Sequence, residues 1–408
     1  MAETLRLGFI GLGMAVTRIF TERPGITDLP HIELTAAADP RDDALAHFQE
    51  EFGAEGYNDV RDLVKSPNVD AVYVATPPEM HAEHALLAME HGKHAIVEKP
   101  IALTIDDCER MNEAAERRGL KLLAGHTHSF DPPIRKMREI IQGGELGRLR
   151  MVNTWNFNEF MYRPWPSHEL VTSRGILFNQ APHQVDIVRL LGGGLVRSVR
   201  AMTGVWDDFR PGEGAYVCYL EFDDGVPATL VYNGYGFFDT AELYDWVGEG
   251  GYHRDPETNR KMRANLRGAA GDESVLEEQK NQMRYGARQS GNYPEIWNIW
   301  GRGHDAADRR HQKFFGLTVA SCERGDLRQS ADGILIYGED GKREVAIGNA
   351  MAGRQAEVQE LYEAVVHQRP VSHDGRWGEA TLEVCLAMIR SAEERREIEL
   401  SHQVASWE

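Results

Sequence analysis

Cysteine is scarce in this chain: Cys108, Cys218, Cys322 and Cys385 are spread over 408 residues, none at metal-ligand spacing. That excludes a disulfide scaffold, makes a bound metal unexpected, and favours a reduced, cytoplasmic protein. Long apolar runs are missing too, and nothing approaches the ~20 residues that a bilayer-spanning helix needs. A leader is not expected, because a strand pattern begins within a few residues of Met1. Positive charge is the third shortage. The 45 Lys and Arg are outnumbered by 64 Asp and Glu, for a net charge of −19. That balance argues against a nucleic-acid or anionic-membrane partner. It also means that any anionic small-molecule substrate must be met by cations placed locally.

What remains is the make-up of an ordinary globular enzyme, 42% hydrophobic and 27% charged, long enough for two domains. Residues 5–10 form a compact apolar strand, followed by Gly11-Leu12-Gly13-Met14-Ala15-Val16 and a helical pattern. Strand, Gly-x-Gly and helix in that order point to a dinucleotide turn, with a plain glycine-rich strand-helix turn as the alternative. Gly11 allows the turn, and Gly13 lets a pyrophosphate approach the helix N-terminus at Met14 and Ala15. The third small residue of the fingerprint is missing, since Val16 stands there. A second strand, residues 32–38, ends in Asp39, placed to hold the adenosine ribose hydroxyls. Arg41 could instead meet a 2′-phosphate, which Asp39 would repel, so NAD is favoured and NADP stays possible.

Further strands at 70–75, 94–97 and 120–124 alternate with helices, which predicts a doubly wound parallel sheet over residues 1–127. Its crevice residues follow the strands: Thr76-Pro77, Glu98-Lys99 and His126-Thr127-His128. From about residue 130 the texture changes. Apolar runs at 199–205, 216–222, 228–232, 333–337 and 344–347 are joined by turns such as Asp223-Asp224-Gly225 and Glu339-Asp340-Gly341. Hairpins of that kind predict an α+β second domain, residues 128–408, on a mostly antiparallel sheet. Residues 240–313 look like a polar insertion, carrying Arg254, Arg260, Arg263, Arg267, Arg284 and Arg288 with Tyr285, Tyr293, Trp297 and Trp300. It reads as a solvated excursion or subunit contact, or as a lid bringing arginines to an anionic substrate.

Taken together, Gly11-x-Gly13, Thr76-Pro77-Pro78 with His81, the run Ala85, Leu86, Gly92, Lys93, His94, and Glu98-Lys99-Pro100 resemble the glucose–fructose oxidoreductase/inositol dehydrogenase family. The resemblance implies a Rossmann domain followed by a large open sheet. It implies NAD(P) held by Gly11, Gly13, Met14, Ala15, Asp39, Arg41, Thr76, Pro77, His81 and Glu98. Lys99 would sit by the reacting carbon and Glu98 by the nicotinamide ribose. Residues 175–186 resemble the family's second signature, with an acid and a histidine four apart on a helix and an aspartate three later. His183 and Asp186 match, but Asn179 replaces the first acid. On one helix these positions share a face, so Asn179 could orient a hydroxyl but take up no proton. His183 would then act alone or through water.

Residues 126–133, Tyr162-Arg163-Pro164 and residues 178–184 are similar to the phthalate cis-dihydrodiol dehydrogenase branch of that family. This likeness implies oxidation of a phthalate 4,5-cis-dihydrodiol to 4,5-dihydroxyphthalate, with His126, His128, Arg163, Arg174 and Gln180 near the substrate. Two carboxylates would want bidentate arginines. The alternatives are a sugar or cyclitol dehydrogenase, and a non-catalytic NAD(H) sensor. An open sheet face further predicts a homo-oligomer, dimer or tetramer.

Overall fold

The computed structural model describes residues 4–22, 24–269, 272–287, 309–348 and 350–407. Arg23, Arg288, Tyr293, Trp297 and Trp300 lie outside the described residues. The chain forms two compact units.

The first unit is built on a six-stranded parallel sheet. Its strands are β1 (Leu5–Ile10), β2 (Ile32–Ala38), β3 (Glu55–Tyr57), β4 (Ala71–Val74), β5 (His94–Glu98) and β6 (Leu122–Gly125). Their spatial order, β3-β2-β1-β4-β5-β6, is that of the dinucleotide-binding fold, and it reverses direction between β1 and β4. The short β3 pairs with β2 and is an addition to the five strands expected; three half-buried residues give too little periodicity to read. Phe9, Phe20 and Phe48 pack around β1, and Tyr73 stacks on Phe9 at 5.3 Å between ring centroids.

This unit is not confined to residues 1–127. It also takes in Lys280–Asn292 and Ala352–Leu382, which corrects the expectation that 128–408 belong wholly to the second domain. The cause is apolar burial. Val358, Leu361 and Tyr362 of the helix Gly353–Val366 are at most 5% exposed and join the core around Phe9 and Leu12. Tyr285 of the presumed insertion joins the same core.

The second unit carries a nine-stranded sheet. Its strands are β7 (Leu149–Phe157), β8 (Val196–Gly204), β9 (Ala215–Phe222), β10 (Pro227–Asn233), β11 (Leu317–Cys322), β12 (Gly325–Ser330), β13 (Gly333–Gly338), β14 (Gly341–Ala346) and β15 (Ile398–Glu399), in the order β14-β13-β12-β11-β7-β10-β9-β8-β15. Only β10 with β7 is parallel among the described pairs. Gly225 and Gly341, at φ +80° and +101°, close the two expected hairpins, where a side chain would be strained. The helices Pro132–Gly143 and Ala181–Gly192 pack against the sheet. Met202, Val217 and Tyr219 on β8 and β9 are 40–58% exposed. No helix among the described residues is long and apolar enough to cross a membrane.

Candidate active site

In the first unit the turn after β1 sits where Gly11 has φ +90°. A Cβ there would meet the Ala75 carbonyl and the Thr76 methyl at 3.0 Å. At Gly13 the nearest such atom is 4.0 Å away, so the space before the helix Met14–Thr21 is open. Gly13 caps that helix with no side-chain bond, so its first N–H groups are left to a ligand. Val16, the missing small residue, is fully buried in the core instead. Asp39 is 7% exposed; one oxygen accepts the Leu12 N–H at 2.7 Å and the other the Arg41 N–H at 2.9 Å. An open glycine cradle, an uncapped helix and a fixed carboxylate after β2 fit a dinucleotide.

Two other crevice turns are tied together by His81, whose ring nitrogens lie 2.8 Å from the Pro100 and Thr76 carbonyl oxygens. Burial pushes this imidazole below its ordinary pKa, against the upward pull of both carbonyls. His84 Nδ1 lies 3.1 Å from the Thr76 hydroxyl, which precedes Pro77. His126 is buried after β6, at 2% exposure.

Glu98, at the end of β5, rests on a residue that sequence reading missed. Arg354 donates to Glu98 Oε1 at 2.6 Å through Nη2 and 3.1 Å through Nε, and the Tyr73 hydroxyl lies 3.2 Å from the same oxygen. Burial pushes the Glu98 carboxyl up, but the cations of Arg354 and Lys99 outweigh it, and the net shift is downward. Glu357, one helical turn past Arg354, is driven well above the ordinary range by burial and by the Glu98 charge. Glu98 is thus the ionised member of the pair. Lys99 is half-buried and joined to Pro100 by a cis peptide bond. Arg354 gives no local signal, because it arrives from more than 250 residues away.

In the second unit His183 lies in the first turn of Ala181–Gly192, opened by Pro182. Asn179 is not on that helix. It precedes it, and its side-chain oxygen accepts from Gln180 Nε2 at 2.7 Å, so the shared helical face expected for 179, 183 and 186 does not form. Upstream, Gly175 at φ +59° lies so close to the Glu213 carbonyl that no Cβ would fit, and the Ile176 N–H donates to that oxygen at 2.8 Å. Gln180 Oε1 accepts from the Tyr232 hydroxyl at 3.0 Å, and Tyr232 in turn meets Asn158.

Against His183 stands His128, edge to face at 4.7 Å between centroids, and Phe315 touches both rings at 4.9 and 4.3 Å. His128 Nδ1 lies 2.8 Å from Asp131 Oδ2, and Asp131 is 2% exposed. A carboxylate beside a histidine is therefore present, supplied from the loop after β6 rather than from position 179.

The arginines sort by partner. Arg163 is 3% exposed and bound to Glu159 at 2.8 Å, with Glu249 at 3.5 Å. Arg254 pairs with Glu159 and Asp239, and between them the two cations hold Glu159 at about 2 against the upward push of burial. Arg174, at φ +48°, pairs with Glu213 and Glu393. Arg263 differs. It is 6% exposed, donates to the Gly236 carbonyl at 2.6 Å, and lies 3.6 Å from the Phe237 ring and 4.6 Å from that of Tyr162. Among the described residues it has no carboxylate partner, and its Nη1 is buried without a hydrogen bond. Of the insertion's arginines, Arg254 and Arg263 are buried, which the solvated-face reading did not anticipate.

Residues 5–126 match the oxidoreductase family with an NAD-binding Rossmann fold (GFO_IDH_MocA), and residues 134–250 match the GFO/IDH/MocA C-terminal domain. The chain belongs to this family. It is an NAD-dependent oxidoreductase. It is 36% identical over 391 residues to a 1-carboxy-3-chloro-3,4-dihydroxycyclohexa-1,5-diene dehydrogenase of Comamonas testosteroni, with 94% of each chain covered. It is 30% identical over 227 residues to a myo-inositol 2-dehydrogenase of Thermotoga maritima, covering 54% of this chain and 66% of that one. A solved structure described as a dehydrogenase of Bordetella bronchiseptica RB50 superposes with a TM-score of 0.87 at 36% identity, covering 97% and 100%.

Proposed function

We propose that this family member oxidises one carbinol of a carboxylated cyclohexadiene cis-diol, of which phthalate 4,5-cis-dihydrodiol is the specific expectation. The observation that carries this is the match, over nearly the whole of both chains, to the Comamonas testosteroni enzyme. NAD, when bound, supplies the hydride acceptor. Gly11, Gly13, Met14, Ala15 and Asp39 hold the dinucleotide, with Thr76, Pro77, His81 and Glu98 shaping its nicotinamide end. Lys99, kept cationic, steadies the developing alkoxide by direct charge attraction.

His183 takes the hydroxyl proton. Asp131 fixes His128 with its Nδ1–H toward the carboxylate, so a negative charge stands behind the histidine pair that receives that proton. Asn179 and Gln180 present amide groups to the substrate hydroxyls. The ketone formed tautomerises to a catechol, and aromaticity draws the reaction forward. Arg263 is the carboxylate receptor this reading favours. Arg163 and Arg174 already have acidic partners.

A cyclitol dehydrogenase is the second reading, favoured by the Thermotoga maritima relative. The exposed apolar residues on β8 and β9 suit cover by a second copy of the chain. Reduction of NAD by cis-dihydrodiol carboxylates against inositols and sugars separates the two readings.

A further inference from the structure

The polar insertion returns to the first unit as a strap, residues 282–287, lying against the dinucleotide turn. Thr17, 2% exposed on the helix that follows Gly13, donates its hydroxyl to the Met283 carbonyl at 2.9 Å. Tyr285 packs edge-on against Phe20 at 5.2 Å and touches His47 at 4.9 Å, while its hydroxyl bonds to Glu51. At Gly286, φ +78°, a Cβ would come within 2.7 Å of the Ala44 Cα, so the backbone is seated directly on the helix after β2.

Arg41 is drawn into this strap. Its Nε donates to Asp39 at 3.2 Å, its Nη2 to the Leu12 carbonyl at 2.6 Å and its Nη1 to the Tyr285 carbonyl at 3.2 Å. All three guanidinium nitrogens are engaged, two of them with backbone oxygens that carry no charge to lose. Turning toward a ribose 2′-phosphate would break the bonds to both Leu12 and Tyr285. A free arginine just past the second strand would receive that phosphate; a braced one does not.

We propose that the strap is a coenzyme-selectivity element: by bracing Arg41 through Tyr285 it withholds the cation that NADP would require. Asp39 then acts as a second barrier by charge repulsion, while also holding the Arg41 Nε. The two barriers have a distinctive consequence. Removing Asp39 alone leaves Arg41 held by the strap, and removing the strap alone leaves Asp39 repelling the phosphate. Only the double change frees a cation and removes the anion together.

The test is a double-mutant cycle on equilibrium binding, read by fluorescence titration of NADH and NADPH without substrate. The variants are Asp39→Ser, Tyr285→Ala, which keeps the carbonyl but removes the ring and hydroxyl that seat the strap on Phe20, His47 and Glu51, and both. The ratio of NADPH to NADH dissociation constants should fall further in the double variant than the product of the single effects, by about fivefold or more. Single effects that multiply to within about twofold would overturn the proposal. Should Tyr285→Ala fold poorly, Thr17→Val removes the hydroxyl that bonds the Met283 carbonyl at 2.9 Å and, more weakly, the Gly13 carbonyl at 3.4 Å, and its cycle with Asp39→Ser is read the same way. Because the readout is binding, it is independent of which alcohol the enzyme oxidises.

Discussion

Asp131 accepts from His128 Nδ1 at 2.8 Å, and His128 in turn stands edge to face against His183. The acid that the family places four residues before its histidine is absent here, and a carboxylate from another loop stands beside His128 instead. If that carboxylate supports proton removal, Asp131→Asn lowers kcat by about a hundredfold or more. NADH affinity should stay unchanged. A loss under about threefold would make the pair purely structural.

Arg354 sets the charge state of Glu98. Burial pushes the Glu98 carboxyl up, and removing the guanidinium in Arg354→Met takes away the largest influence holding it down, leaving Lys99 and His81 alone against burial, so its pKa rises. The native pKa is depressed, so the charged form persists as pH falls until that low pKa is reached. In the variant it is lost earlier. The acid limb of NADH binding, followed by titration across pH, should therefore move to higher pH. An unmoved limb would detach Glu98 from cofactor binding.

Arg263 should discriminate by substrate charge. Arg263→Met is expected to raise KM for a carboxylated dihydrodiol by about tenfold or more, consistent with loss of a charge-assisted hydrogen bond. An uncharged dihydrodiol should show almost no change. Equal effects on both would assign Arg263 to packing under Phe237.

Much of the first unit was legible because its signals are local. A buried strand runs directly into its glycine turn, and the acid directly follows the second strand. The second sheet was legible where hairpins announce themselves, as at Gly225 and Gly341. Strands β11 and β12 were missed, since Leu317–Cys322 and Gly325–Ser330 alternate weakly and carry polar residues. What sequence could not reveal depends on chain return. Arg354 beside Glu98, Tyr285 beside Arg41 and Phe315 beside His128 are each joined across 180 residues or more. The helical periodicity drawn through 179, 183 and 186 failed for a local reason, because the helix begins only at Ala181.

The most direct measurement is NADH formation by the purified protein with a panel of substrates: carboxylated cyclohexadiene cis-diols, including phthalate 4,5-cis-dihydrodiol, beside myo-inositol, scyllo-inositol and glucose. Turnover of a carboxylated dihydrodiol, with a catechol as product and kcat/KM at least about a hundredfold above every cyclitol or sugar, is the predicted result. Efficient oxidation of an inositol or sugar with no turnover of any dihydrodiol would contradict the account.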